Sequence, residues 1–122
     1  MTAILVIDDD ASVREVVSEM LKLEGYDVTI AANGREAIRL LDALRFDLVI
    51  TDLIMPEKEG IETIAEIRRT HARLPILAIS GGGRIGPSDY LETARYLGAD
   101  ATLAKPFARQ ELLTTVDSLL TR

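Results

Sequence analysis

Short apolar runs alternate with amphipathic segments about five times along the chain. The first run, Ala3–Ile7, is apolar at every position, which is typical of a strand covered on both faces of a sheet. Similar runs predict strands at 48–50, 75–79 and 101–104, whereas residues 26–31 alternate in polarity and suit a strand near an edge. Between the strands, apolar residues recur at helical spacing. The apolar stripes that predict these helices are Val13, Val16, Val17, Met20 and Leu21; Ala37, Ile38, Leu41 and Leu44; Ile61, Ile64, Ala65 and Ile67; and Leu112, Leu113, Val116, Leu119 and Leu120.

Polar residues and glycine mark the ends of the predicted helices. Ser12 and Glu15 have the spacing of a capping box for the first helix, and Asp10 just before them is itself a suitable cap. Gly25 predicts the end of that helix, and Asn33 predicts the start of the next one.

Five strands alternating with five helices predict an α/β fold, in which a parallel sheet carries helices on both faces. The chain has 122 residues, which is the size of one domain, and no linker long enough to divide it. We therefore expect a single domain over residues 1–122 with no output domain. In sheets of this kind, ligands bind beyond the carboxyl ends of the strands.

Composition excludes several classes of function. The chain has 14 Lys and Arg against 20 Asp and Glu, a net charge of −6, so we expect no direct binding to nucleic acid. The absence of Cys excludes disulfides, thiolate metal sites and cysteine nucleophiles. No apolar run approaches the roughly 20 residues of a membrane span, and no basic segment precedes the first one. We expect a cytoplasmic protein with no membrane insertion.

Chemically useful side chains collect where the predicted strands end. Asp8 and Asp9 follow the first strand, and Asp52, Ser80 and Lys105 follow the third, fourth and fifth. A parallel sheet brings these ends to one edge. Two carboxylates about 4 Å apart repel by about 4 kcal/mol at an effective dielectric of about 20, so the cluster requires positive charge. Lys105 supplies one charge, and a hard cation such as Mg²⁺, bound by carboxylates, water and phosphate oxygens, supplies two.

This set of residue types suits phosphoryl transfer to a carboxylate. Asp52 stands alone at the end of a central strand and is the candidate nucleophile, which would form an aspartyl-phosphate. Catalysis of such a transfer consists mostly of positioning and charge neutralisation. Asp8 and Asp9 suit the metal, and Lys105 and the Ser80 hydroxyl suit the phosphoryl oxygens.

Four short motifs follow the strands in chain order: Asp8-Asp9, Asp52-Leu-Ile-Met-Pro56, Ser80 and Lys105-Pro106-Phe107. Together, and over essentially the whole chain, they resemble the receiver domain of two-component response regulators. The resemblance implies a flavodoxin-like, doubly wound (βα)5 fold with strand order 2-1-3-4-5. It also implies a phosphoprotein switch that accepts a phosphoryl group on Asp52 from a sensor histidine kinase or a histidine phosphotransfer protein. Output by protein–protein binding or phosphorelay is then expected.

The resemblance further implies a set of ligands at this edge. It implies that Mg²⁺ (or Mn²⁺) is held by Asp9, Asp52 and the backbone carbonyl of Ile54, and by Asp8 through a water molecule. It implies that Ser80 and Lys105 hold the phosphoryl group. A cis peptide bond before Pro106 is also implied.

Two features depart from the family pattern and concern the switch. The aromatic residue that usually stands three positions before the lysine is replaced by Thr102, and the segment between Ser80 and Lys105 is a few residues longer than usual. The extra length falls in a glycine-rich stretch at 81–87, and a helix is predicted at 88–97. We expect this region to change on phosphorylation. The predicted switch residues are Ser80, Gly81, Gly82, Gly83 and Thr102.

Two alternative functions share features with this pattern but fit it less well. A hydrolase of the haloacid dehalogenase type also uses an aspartyl-phosphate, but it needs a carboxylate two positions after the nucleophile, where this chain has Ile54. A flavodoxin-like electron carrier would share the fold, but Asp8, Asp9 and Asp10 would repel the flavin phosphate. We therefore expect a phosphoacceptor rather than an enzyme. The downstream partner and dimerisation stay open.

Overall fold

The computed structural model describes residues 1–53, 60–80, 95 and 98–121. Its five strands form one parallel sheet in the order β2-β1-β3-β4-β5, which confirms the predicted order. The strands are β1 (Ala3–Ile7), β2 (Asp27–Ala31), β3 (Leu48–Asp52), β4 (Ile76–Ser80) and β5 (Ala101–Ala104).

Four helices lie within the described residues: α1 (Ala11–Leu23), α2 (Gly34–Ala43), α3 (Gly60–Thr70) and α4 (Arg109–Leu120). The helix predicted at 88–97 and the glycine-rich stretch at 81–87 lie outside the residues for which we describe structure, Arg95 excepted. Among the helices of the described ranges, none is long and apolar enough to cross a bilayer.

The helices cover both faces of the sheet, as predicted. One core packs Leu5 and Val49 of the sheet against α2 and α3, whereas the other packs Ile4 and Ile50 against α1 and α4. Alternate residues of the same strands therefore enter opposite cores, which explains why β1 and β3 are apolar at nearly every position.

Three residues separate the end of β1 from the start of α1, and the last of them, Asp10, caps the helix. The Asp10 carboxylate accepts hydrogen bonds from the backbone N–H groups of Ser12 (2.9 Å) and Val13 (3.4 Å). The predicted capping box with Ser12 as its first residue is wrong, because the helix starts at Ala11 and Ser12 is already inside it. Asn33 caps α2 as predicted, accepting from the N–H of Glu36 at 2.8 Å.

Two residues assigned to buried stripes are exposed. Val16 and Leu44 each keep 53% of their surface accessible. On α1 the buried face is centred on Val17 and Leu21, and Val16 lies about 100° away from Val17 around the helix axis. Leu44 is the C-cap of α2, where the extended backbone carries its side chain off the helical face.

Arg68, near the end of α3, ties that helix to the segment that enters β5. Its guanidinium donates hydrogen bonds to the carbonyls of Ala72 and Gly98, both at 2.7 Å, and pairs with the Asp100 carboxylate at 2.8 Å. The same carboxylate accepts from the N–H of Ile76 at the start of β4. Arg68 and Asp100 together thus link α3, β4 and the segment before β5, at the end of the sheet opposite Asp8 and Asp52.

Replacing Arg68 with Met should lower the free energy of unfolding by about 1–3 kcal/mol, since several charge-assisted hydrogen bonds disappear while the apolar stem remains. Urea unfolding followed by circular dichroism would measure the loss. The neighbouring exposed Arg69, replaced with Met, is the matched control and should change stability by less than about 0.5 kcal/mol. Equal effects of the two substitutions would contradict this role for Arg68.

Candidate functional site

Strand pairing brings two distant carboxylates together. In the parallel ladder between β1 and β3, Ile7 is paired with Thr51, so the next residues, Asp8 just after β1 and Asp52 at the end of β3, lie side by side. Asp9 follows directly. One carboxylate oxygen from each of these three residues lies within 4.8 Å of the others. Asp8 and Asp52 are buried, with 4% and 7% of their surface accessible, whereas Asp9 is exposed.

Lys105 reaches this acidic cluster from the end of β5. Its Nζ lies 3.4 Å from Oδ2 of Asp8 and 3.7 Å from Oδ1 of Asp52. The backbone N–H of Lys105 donates to the carbonyl of Ser80 at 2.8 Å, and the Lys105–Pro106 peptide bond is cis, as expected. One ammonium group compensates one of three carboxylates, so the pocket formed by Asp8, Asp9, Asp52 and Lys105 keeps a net negative charge when all four are ionised. We call it the acidic pocket.

Ser80 is the last residue of β4 and is fully buried. Its Oγ has no hydrogen-bond partner within the described ranges. A buried hydroxyl without a partner costs about 1–3 kcal/mol, so such groups are uncommon unless they serve a ligand. The position, next to the strand that ends in Asp52, makes Ser80 a candidate ligand-binding hydroxyl.

The turn after β1 holds the Asp8 side chain in place. The N–H of Asp8 donates to the carbonyl of Ala31 on β2 at 3.1 Å, and Oδ1 of Asp8 accepts from the N–H of Asp10 at 2.9 Å. Both Asp8 oxygens therefore have protein donors, one from Asp10 and one from Lys105. The Asp9 carboxylate accepts no hydrogen bond from the parts of the chain that the structure describes, which leaves its oxygens available to a ligand.

Gly60 lies directly behind Asp52, a contact that sequence reasoning missed. A Cβ atom added at Gly60 would overlap the Asp52 carbonyl oxygen and come within 2.5 Å of the Leu53 Cα. The N–H of Gly60 also donates to the Leu53 carbonyl at 3.1 Å. Only glycine lets α3 begin this close to β3, and the sole signal in the sequence is a glycine just before a helical stripe.

The donor set fits Mg²⁺. Carboxylate oxygens are the ligands that this ion prefers, and opposite ligands of one ion lie about 4.2 Å apart because each bond is about 2.1 Å long. The observed limit of 4.8 Å is slightly wider, which direct ligation by two carboxylates and water-mediated contact with the third would accommodate. The remaining negative charge of the acidic pocket also favours a divalent cation.

Of the remaining residues assigned to the site or the switch, only Thr102 lies within the described residues. Thr102 lies half-buried on β5, paired with Ala78. Ile54 and the three glycines at 81–83 lie outside the described residues, so their assigned roles stay predictions.

Comparison with known proteins gives a consistent result. The chain matches the family of the response regulator receiver domain over residues 4–117. It is 38% identical over 122 residues to the transcriptional regulatory protein CpxR of Klebsiella pneumoniae, covering all of this chain and 50% of that protein. It is 40% identical over 119 residues to the response regulator MprA of Mycolicibacterium vanbaalenii, covering 98% of this chain and 50% of that protein. The chain thus spans about half the length of these curated relatives.

Solved structures share its fold. A response regulator receiver domain protein from Clostridium thermocellum superposes with a TM-score of 0.91 at 27% identity, covering 100% of this chain and 96% of that one. The chemotaxis protein CheY4 of Vibrio cholerae gives 0.88 at 34% identity, covering 98% and 99%. These similarities favour neither the dehalogenase-type hydrolase nor the flavin carrier.

Binding of Mg²⁺ to the acidic pocket should stabilise the fold. With free Mg²⁺ at about 100 times its dissociation constant, the free energy of unfolding should rise by about 2.7 kcal/mol. In Asp9→Asn the increase should fall to less than half, because one carboxylate ligand is lost. Denaturant unfolding with Mg²⁺ and with chelator measures both values. Asp42→Asn, which changes an exposed aspartate of α2, should respond like the unaltered protein, and an equal loss there would contradict the assignment.

Proposed function

Because the chain belongs to the receiver domains of response regulators, which are phosphoacceptors in two-component signalling, we propose that Asp52 is its phosphoacceptor. The phosphoryl group would come from a phosphohistidine of a sensor histidine kinase or a histidine phosphotransfer protein. The observation that carries the proposal is the convergence of Asp52 with Asp8, Asp9 and Lys105 at one edge of the sheet. The reaction is proposed to take place in the cytoplasm, where such kinases obtain their ATP.

The proposed step is a transfer between two side chains. A carboxylate oxygen of Asp52 attacks phosphorus, the bond between phosphorus and the donor's imidazole nitrogen breaks, and that nitrogen takes up the electron pair and a proton. The product is an acyl phosphate on Asp52 and a neutral histidine on the donor. When bound, Mg²⁺ (or Mn²⁺) would neutralise charge on the phosphoryl oxygens.

The residues around Asp52 have separate tasks in this proposal. Asp9 and Asp52 would hold the metal directly, together with the backbone carbonyl of Ile54, and Asp8 would hold it through water. Lys105 already lies 3.7 Å from Asp52 and pairs with a phosphoryl oxygen.

The buried Ser80 hydroxyl donates to another phosphoryl oxygen and thereby gains the partner that it lacks among the described residues. The domain is a phosphoacceptor that assists its own phosphorylation and is not a turnover enzyme. Signal output would follow from binding a downstream protein or from onward phosphorelay.

Incubation with a small acyl phosphate and Mg²⁺ should add one phosphoryl group to the protein, because a low-molecular-weight donor can enter the acidic pocket without a kinase. Intact-mass spectrometry would detect it. Asp52→Asn should give no adduct, and neither should the unaltered protein in chelator, whereas Asp42→Asn should be modified normally. An adduct that persists in Asp52→Asn would refute the assignment.

A protein donor also needs a surface on which to dock. Only 7% of the Asp52 surface is accessible, so the donor's histidine must enter the acidic pocket itself. The donor protein must then contact the protein surface around the pocket. Next to Lys105 lies a groove of about 490 Å³ lined mainly by apolar side chains of α1 and by Phe107. Val16, whose exposure contradicted its predicted burial, lies in this groove. We propose that this groove, which adjoins Lys105, receives an apolar surface of the phosphodonor protein.

Val16→Gln should slow phosphorylation by a histidine phosphotransfer protein or kinase at least about tenfold, since a polar group would enter an apolar contact. Phosphorylation by the small acyl phosphate should stay within about twofold. The equally exposed Leu44, changed to Gln, is the control and should leave both rates unchanged. If Val16→Gln slowed both donors alike, the groove would not be the docking surface.

A further inference from the structure

Arg14 occupies a position where a helix ordinarily disfavours positive charge. It is the fourth residue of α1, whose first turn contains no acidic residue. The amino-terminal end of a helix carries partial positive charge, so a cation there is unfavourable unless another interaction compensates. A residue that breaks a local rule in this way often serves a functional site.

The compensating interaction is a hydrogen bond to the turn that carries the carboxylates. Nη1 of Arg14 donates to the backbone carbonyl of Asp8 at 2.8 Å, and the side chain is half-buried. That carbonyl belongs to the peptide group joining Asp8 to Asp9. Its orientation therefore sets the direction in which the Asp9 Cα, and with it the carboxylate, leaves the turn.

The other contacts that the described residues make with the turn do not involve this peptide group. The N–H of Asp8 is bonded to Ala31, and the Asp8 carboxylate is bonded to Asp10 and Lys105. Asp9 is exposed, and its carboxylate accepts no hydrogen bond from residues of the described ranges. Among the residues that the structure describes, Arg14 is the side chain that bonds to the peptide group between the two carboxylates.

We propose that Arg14 is a positioning residue that orients Asp8 and Asp9 for Mg²⁺, an inference that rests on the proposed function. Its geometric role and its charge act in opposite directions on metal affinity. The hydrogen bond holds the ligands in place and strengthens binding, whereas the positive charge of the guanidinium repels a cation. Substitutions at Arg14 can therefore distinguish the two effects by sign.

The test compares Arg14→Lys, which keeps the charge, with Arg14→Met, which removes it. Arg109→Met is the matched control, because exposed Arg109 also lies in the first turn of a helix that follows a strand of the sheet. Calorimetric titration with Mg²⁺ alone should give a dissociation constant about 3- to 10-fold higher for both Arg14 variants, as expected for a lost charge-assisted hydrogen bond. The control should stay within about twofold of the unaltered protein.

A second readout uses the metal-free protein. Amide hydrogen exchange at Asp10, whose N–H bonds the Asp8 carboxylate, should become at least about threefold faster in both Arg14 variants and stay unchanged in Arg109→Met. Phosphorylation of Asp52 at saturating Mg²⁺ should remain within about threefold, so a failed positioning role would not be confused with a failed phosphoacceptor assignment. Tighter Mg²⁺ binding in Arg14→Met, or unchanged affinity in both variants, would overturn the proposal.

Discussion

The parallel pairing of β1 with β3 is the constraint on which the rest of the site depends. The register places Asp8 beside Asp52, although mutual repulsion opposes the approach of two carboxylates. Apolar packing on both faces of the sheet supplies the free energy that holds the strands in this register. The carboxylates are thus held together by a core to which they contribute nothing.

The positive charge in the acidic pocket comes from Lys105, which is distant in sequence from the three carboxylates. Lys105 approaches Asp8 and Asp52 because β5 pairs with β4 and the backbone of Lys105 is bonded to Ser80. A single ammonium group does not neutralise the three carboxylates of the pocket. The buried Ser80 hydroxyl, in addition, has no hydrogen-bond partner in the described part of the chain. Both features fit a pocket that is completed by a divalent cation and a phosphoryl group.

Much of this arrangement could be predicted from local patterns. The succession of strands and helices along the chain and the helices on both faces matched expectation, as did the caps Asp10 and Asn33, because periodicity and capping depend on neighbouring residues. The order of the strands within the sheet was expected from the family resemblance alone. Predictions that depended on the exact direction of a side chain were less accurate. Val16 and Leu44 were assigned to the apolar stripes on their spacing, yet each is half exposed. The buried face of α1 is narrower than its apolar stripe, and the extended backbone at the C-cap of α2 carries Leu44 off the helical face.

The amino-acid sequence by itself determined the order of strands and helices and the residue types at the strand ends, since both follow from short-range pattern. Only the tertiary structure decided which groups touch. The bond from Arg14 to the Asp8 carbonyl has no signature in composition or spacing, and the closeness of Gly60 to the Asp52 carbonyl is signalled only by a glycine just before a helical stripe. Both contacts depend on where a helix starts relative to a strand, and the packing of the two cores sets that relation to within a fraction of an ångström.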